Sequence, residues 1–125
     1  MDEGVGLGYA PALADGFLVH VVRRDDEFTV IVAGEFDLCA SSAIEQRVTG
    51  YVDPSATLVI DLQDVTFLDS TGLQTLWALR SRQSEAGGRF ILKSPSLAVE
   101  RVLRTTDLLT IFDIVPSSGE RKGLI

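Results

Sequence analysis

The stretch Thr57-Leu58-Val59-Ile60-Asp61-Leu62-Gln63-Asp64-Val65-Thr66-Phe67-Leu68-Asp69-Ser70-Thr71-Gly72-Leu73 decides the fold. Its first six residues are almost continuously apolar, the pattern of a strand covered on both faces. A short loop follows, and the spacing then predicts a helix from Thr71 to Ala86, with Leu73, Leu76, Trp77 and Arg80 along one stripe. Gly87-Gly88 supplies residues that tolerate positive φ and ends it. A buried strand feeding directly into an amphipathic helix is the opening of a crossover unit.

Upstream, Phe17 to Val22 and Phe28 to Gly34 read as two strands. The charged run Arg23 to Glu27 between them fits an antiparallel hairpin with a five-residue connection. Ser42-Ala43-Ile44-Glu45 has capping-box spacing, and Ile44, Val48 and Tyr51 continue at helical spacing to about Val52. Downstream, Phe90 to Lys93 reads as a strand. Ser94 and Pro95 read as a cap with proline at the first helical position, and that helix continues to about Thr105. Phe112 to Val115 reads as a short last strand. The expected architecture is a single α/β domain over residues 17–116, a mixed sheet with an N-terminal antiparallel hairpin and helices covering at least one face. Residues 1–16, rich in glycine, and residues 117–125 are expected to be flexible tails.

At 125 residues the chain has the size of one domain, large enough to bury a core without staples. A hydrophobic content of 46% excludes disorder of the whole chain, and no run approaches the length of a membrane span. The beginning of the chain lacks a basic segment followed by an apolar block, so a secretory signal is not expected. One cysteine, Cys39, excludes an internal disulfide, and a zinc site would have to lean on carboxylates beside the single His20. No cofactor is expected, and the setting expected is a reducing cytoplasm. Net charge is −7, so nucleic acid is not an expected partner, because neutralising phosphates needs a basic face.

The chemistry concentrates in Asp69-Ser70-Thr71-Gly72, where Asp69 or Ser70 falls at the helix N-cap. Free amides and the positive end of the helix dipole favour an anion there. A phosphate on Ser70 would be accepted by the backbone without breaking the helix, while adding about −1.5 to −2 charge next to Asp69. Taken alone, these residues are also what any well-capped helix would carry. The rest of the chain offers little for catalysis. His20 lies inside a strand, with no Gly-x-Ser-x-Gly elbow to pair with. Asp-Ser-Thr-Gly also occurs in aspartic-protease loops, but that chemistry needs two paired carboxylates. No phosphate-cradling glycine loop followed by lysine is present. A receiver's acidic pair and later lysine are not in place either. Trp77 is expected in the core with Leu73 and Leu76, and Cys39 is expected to be a small buried residue near a helix start.

Gly34-Glu35-Phe36-Asp37, the segment from Val59 to the Asp-Ser-Thr-Gly loop, and the Val99 to Leu109 helix and turn together resemble the STAS domain. More narrowly they resemble the bacterial anti-sigma factor antagonists. The resemblance covers about residues 17–116 and is most specific from Val59 to Leu73. It implies a non-enzymatic partner switch in transcription regulation. In the unphosphorylated form such a protein binds an anti-sigma factor that is itself a serine kinase, and the sigma factor is released. Phosphorylation at the position of Ser70 ends that binding, and a separate phosphatase restores it. Thr71 stands where the family often has serine and is a secondary acceptor. Asp37 matches the family's recognition acid and Glu35 a neighbouring position. Asp69 forms the loop, and Gly72 is the small residue allowing close approach, so Glu35, Asp37, Asp69, Ser70, Thr71 and Gly72 form the implied partner-binding set. Where the family commonly has a Ser-Gly-Leu turn after its last helix, this chain has Thr106-Asp107-Leu108. STAS domains also serve as adaptor subunits of lipid or anion transport systems, or as small-ligand sensors, without a phosphorylation switch. Nothing in the sequence demands more than a monomer.

Overall fold

The computed structural model describes residues 16–116 in full and the backbone of residues 5–10. The expected C-terminal tail, residues 117–125, lies outside the described residues, as do residues 1–4 and 11–15 of the expected N-terminal tail. The remainder of that N-terminal segment contains a strand, β1 (Val5–Ala10), which pairs antiparallel with β2 (Phe17–Arg24). Its glycines at positions 6 and 8 hide the alternation that usually marks a strand. A strand on the sheet edge can be held by backbone pairing to its neighbour instead.

β2 forms a hairpin with β3 (Glu27–Phe36) through only two residues, because the strands remain paired out to Arg24 and Glu27. Asp25 sits at the tip at φ 58, a conformation aspartate adopts more readily than most side chains. Thereafter come α1 (Leu38–Tyr51), β4 (Thr57–Leu68), α2 (Ser70–Glu85), β5 (Arg89–Lys93), α3 (Leu97–Thr105) and β6 (Asp113–Val115). The six strands lie in chain order across one sheet, with β3 through β6 parallel. The mixed α/β domain with its N-terminal hairpin is thus as expected.

One face of the sheet alternates cleanly into the core. Val19 and Val21 of β2, Val30 and Val32 of β3, Leu58, Ile60 and Leu62 of β4, and Leu92 of β5 are fully buried. Ala40, Ile44 and Val48 of α1 and Leu76 and Leu79 of α2 join them in one cluster. The other face is more open. Val59 is buried there, but Ile31, Asp61 and Ile91 are half-buried, so the apolar run of β4 does not mean equal cover on both sides.

β4 departs most from its expected form. Instead of stopping near Leu62 it runs to Leu68, and twice it carries one residue more than β3. These bulges shift the buried positions to Leu62, Val65 and Leu68, a spacing of three instead of two. Asp61 supports the first bulge by accepting from the Gln63 amide at 3.1 Å.

Helix starts also differ from expectation. α1 begins at Leu38, capped by Asp37, and Ser42 lies inside it; Glu45 does not reach back but accepts from the Thr75 hydroxyl on α2 at 3.4 Å. α3 is capped by Ser96, whose hydroxyl accepts from Val99, while Ser94 is buried at φ 52 and Pro95 precedes the helix. The Thr106-Asp107-Leu108 turn forms without glycine. Asp107 takes φ 62, and the Leu108 amide donates to the Leu103 carbonyl at 2.8 Å.

Candidate functional site

Two parallel strands end side by side, Phe36 of β3 facing Leu68 of β4, and each passes at once into a helix. The next residues, Asp37 and Asp69, are the N-caps of α1 and α2. Asp37 Oδ1 accepts from the amides of Cys39 at 3.1 Å and Ala40 at 3.3 Å. Asp69 Oδ1 accepts from Gly72 at 2.9 Å. The Asp69 amide donates to the Phe36 carbonyl at 3.5 Å, which ties the two corners together. Two helix N-termini and two carboxylates therefore share one edge of the sheet, at the carboxyl ends of parallel strands where such folds form their functional crevices.

Ser70 is the first residue of α2 and is exposed; its hydroxyl makes no hydrogen bond among the described residues. Thr71 is half-buried beside it and lines a groove of about 320 Å³ between α1 and α2, together with Leu38, Glu45, Gln74 and Ala78. Ser41, also at this groove, is 3% exposed and its hydroxyl has no hydrogen-bond partner.

Gly72 is buried, so its place is internal and not on a contact surface. A Cβ there would lie 2.6 Å from both Leu68 Cδ1 and the Phe36 carbonyl oxygen. The missing side chain lets the first turn of α2 settle against the ends of β3 and β4, which sets where Ser70 projects. Gly34 serves the same corner from the other side. It has φ 88, and an added Cβ would collide with the Gly16 carbonyl. Glu35, next in β3, is exposed; its amide donates to Gly16 at 2.8 Å and its strand neighbour is Phe67.

All six sequence-predicted residues thus gather at one edge, five at the surface or half-buried and Gly72 beneath. Reasoning from sequence missed Leu38 and Phe67, which flank the acidic corner at 66% and 49% exposure. The bulges in β4 turn Phe67 outward, and no local pattern announces a bulge. Cys39, expected to be buried, is exposed on the first turn of α1. Trp77, expected in the core, is 45% exposed, because the buried stripe of α2 runs through Gly72, Thr75, Leu76, Leu79 and Gln83. Among the described residues no three His, Cys, Asp or Glu side chains are grouped to hold a metal, and no helix is long and apolar enough to cross a membrane.

Comparison with known proteins places this architecture. Residues 19–121 match the model of the STAS domain. The anti-sigma-B factor antagonist of Bacillus subtilis is 29% identical over 105 residues, an alignment covering 84% of this chain and 94% of that protein. The anti-sigma-B factor antagonist of Listeria monocytogenes is 32% identical over 111 residues, with the same coverage. Among solved structures, an anti-sigma factor antagonist from Mycobacterium paratuberculosis superposes with a TM-score of 0.72 at 30% identity, covering 89% of this chain and 95% of that one. With its sheet order, its paired caps and these relatives taken together, the chain belongs to the STAS domain family.

Proposed function

We propose that this protein is an anti-sigma factor antagonist whose hold on its partner is switched by phosphorylation of Ser70. The observation that carries the reading is the Ser70 hydroxyl, exposed and without a hydrogen bond among the described residues, at the first position of α2 directly after the Asp69 cap and on the sheet edge that also carries the Asp37 cap. The likeness to relatives named anti-sigma-B factor antagonists over nearly their whole length supports the partner class. Unphosphorylated, the chain binds a serine-kinase anti-sigma factor in the cytoplasm as a monomer and frees the sigma factor. Asp37 and Glu35 contribute acidic recognition, Asp69 holds the loop, and Thr71 is the secondary acceptor.

In the transfer, Ser70 Oγ forms a bond to the γ-phosphorus of ATP as the bond from that phosphorus to ADP breaks. The hydroxyl proton passes to a base of the kinase, which also supplies ATP and its magnesium. This chain is the substrate and needs no cofactor. The product dianion sits at the start of α2, where the open Ser70 and Thr71 amides and the helix dipole favour it. Its effect falls on the partner's surface, through repulsion and desolvation, and not on the fold. A separate phosphatase returns the chain to its binding form.

The test is a pull-down from the native host with Ser70→Ala and Ser70→Asp baits, read by mass spectrometry. Recovery of a kinase-type anti-sigma factor on the alanine bait and its loss on the aspartate bait is the expected result. Equal recovery of transport subunits on both baits would instead make the chain an adaptor with no phosphorylation switch.

A further inference from the structure

α2 carries a second feature on the side that holds Ser70. Ser70, Gln74 and Trp77 are spaced four and three apart, which puts them on one helix face within about 10 Å along the axis. All three are exposed. The Trp77 ring meets the Phe112 ring edge-on, with centroids 6.2 Å apart, and the Arg80 guanidinium lies 5.5 Å from the Trp77 centroid. Ile111, 41% exposed, is next to Phe112 in the chain and shares with Arg80 a depression of about 180 Å³. Arg89 also lines this depression but is bound to Asp113 at 3.1 Å. Arg80 has no carboxylate partner among the described residues.

In a chain of net charge −7 with 18 acidic side chains, an arginine held against an aromatic ring without an anion is conspicuous. Stacking on indole fixes the guanidinium plane and leaves its donors open. An exposed tryptophan beside a half-buried arginine, next to a mostly polar depression that Arg80 and Ile111 line, has the aromatic-plus-arginine composition of a binding hot spot. Phe112 behind the indole makes the platform rigid, so little side-chain entropy is lost on binding.

We infer that Trp77, Arg80 and Ile111 form a docking surface for an anti-sigma factor segment that places a carboxylate on Arg80 and an apolar side chain against Trp77 and Ile111. The inference rests on the proposed partner, and it extends the contact two helical turns beyond the phosphorylated corner. The charge of the surface selects the occupant: a second copy of this acidic chain would bring mostly like-charged surface to the rest of the contact, whereas a segment of a separate partner can bring one carboxylate to Arg80, since the neighbouring Arg89 is already paired with Asp113. A docking contact remote from Ser70 holds the substrate without altering the transfer itself, so it governs KM and leaves kcat in place.

The experiment uses the full chain, its host's purified anti-sigma factor and ATP. Phosphorylation kinetics are measured for the wild type, Arg80→Glu and Trp77→Gln, with melting curves to establish that the surface variants are folded. Both variants are expected to raise KM about tenfold with kcat unchanged. Wild-type affinity should also fall more steeply with salt than that of Arg80→Glu. As a readout needing no substitution, 5-fluorotryptophan at the single tryptophan should give one fluorine resonance that shifts on adding the anti-sigma factor. An unshifted resonance, or a KM unchanged in both variants, overturns the inference. If Ser70→Asp still abolishes binding in that case, the switch stands and only this surface falls. If the wild type neither binds nor is phosphorylated, both readings fall. Sedimentation showing a wild-type dimer that Arg80→Glu dissociates assigns the surface to a second copy and also overturns the inference.

Discussion

Asp37 has two separable tasks. Its carboxylate satisfies two first-turn amides of α1, and in the proposed function its charge, at the strand end beside the Asp69 corner, also contributes to recognition. Removing a cap typically costs about 1 kcal/mol, whereas serine caps about as well as aspartate. Asp37→Ala should therefore lower the melting temperature by several degrees, about 4–8 °C per kcal/mol for a domain of this size. Asp37→Ser should melt close to the wild type yet bind the anti-sigma factor more weakly. Melting curves together with titration calorimetry separate the two tasks; equal binding by the serine variant and the wild type would reduce Asp37 to a cap. The sequence names Asp37 as a preferred cap residue, but the Ser42–Glu45 spacing competes with it. Strand pairing resolves the competition, because β3 stays in register with β4 through Phe36 and the chain can turn only after that point.

At the scale of elements, the junction between β4 and α2 depends on a space that only glycine leaves. Gly72→Ala would push a methyl group to within 2.6 Å of Leu68 and the Phe36 carbonyl. Overpacking of this kind costs about 1–3 kcal/mol. The midpoint of urea unfolding should fall accordingly, and the tilt of α2 should move Ser70 enough to slow its phosphorylation. An alanine variant with wild-type stability would mean that the junction relaxes freely. The far end of α2 is anchored by a different device. Gln83 is fully buried, and its amide donates to the carbonyls of Asp53 at 3.2 Å and Ala56 at 3.0 Å while Arg82 donates to its oxygen at 2.6 Å. A polar residue in a helical stripe looks like surface from the sequence. Here its amide adds a second hydrogen bond to carbonyls of the α1–β4 connection that already accept from the Ala56 and Arg89 amides, and so ties the end of α2 to that connection. Arg82, which the charge pattern leaves on a solvated face, donates to the Val52 carbonyl in the same connection.

For the whole molecule, the proposed acceptor Ser70 lies outside the cooperative core. Ser70 is exposed at a helix start, while the buried core cluster draws, among the described residues, on the four strands β2 to β5 and all three helices, with Ile114 of β6 packed against it. Phosphorylation should leave the far-ultraviolet circular dichroism unchanged and shift the melting temperature by no more than a few degrees. It should still abolish binding, since about two added negative charges fall on the proposed contact. A large loss of structure on phosphorylation would replace the surface switch with an unfolding switch. Stoichiometric phosphorylation followed by melting curves distinguishes them.

The alternation of β2 and β3, the apolar run opening β4, the glycines closing α2 and the Asp-Ser-Thr-Gly helix start are local physical patterns. By themselves they determined the mixed α/β fold and the approximate span of most elements, while the choice of Ser70 as candidate acceptor came from the family resemblance. β1 escaped because its backbone pairing to β2, and not its side-chain pattern, makes it a strand. The bulges in β4 escaped because a register shift exists only relative to β3, and they turn Phe67 outward. Trp77 left the core because Gly72 and the ends of β3 and β4 fix how α2 rotates against the sheet. Tertiary packing alone decided which helix face met solvent, and with it whether an aromatic residue became core or contact surface.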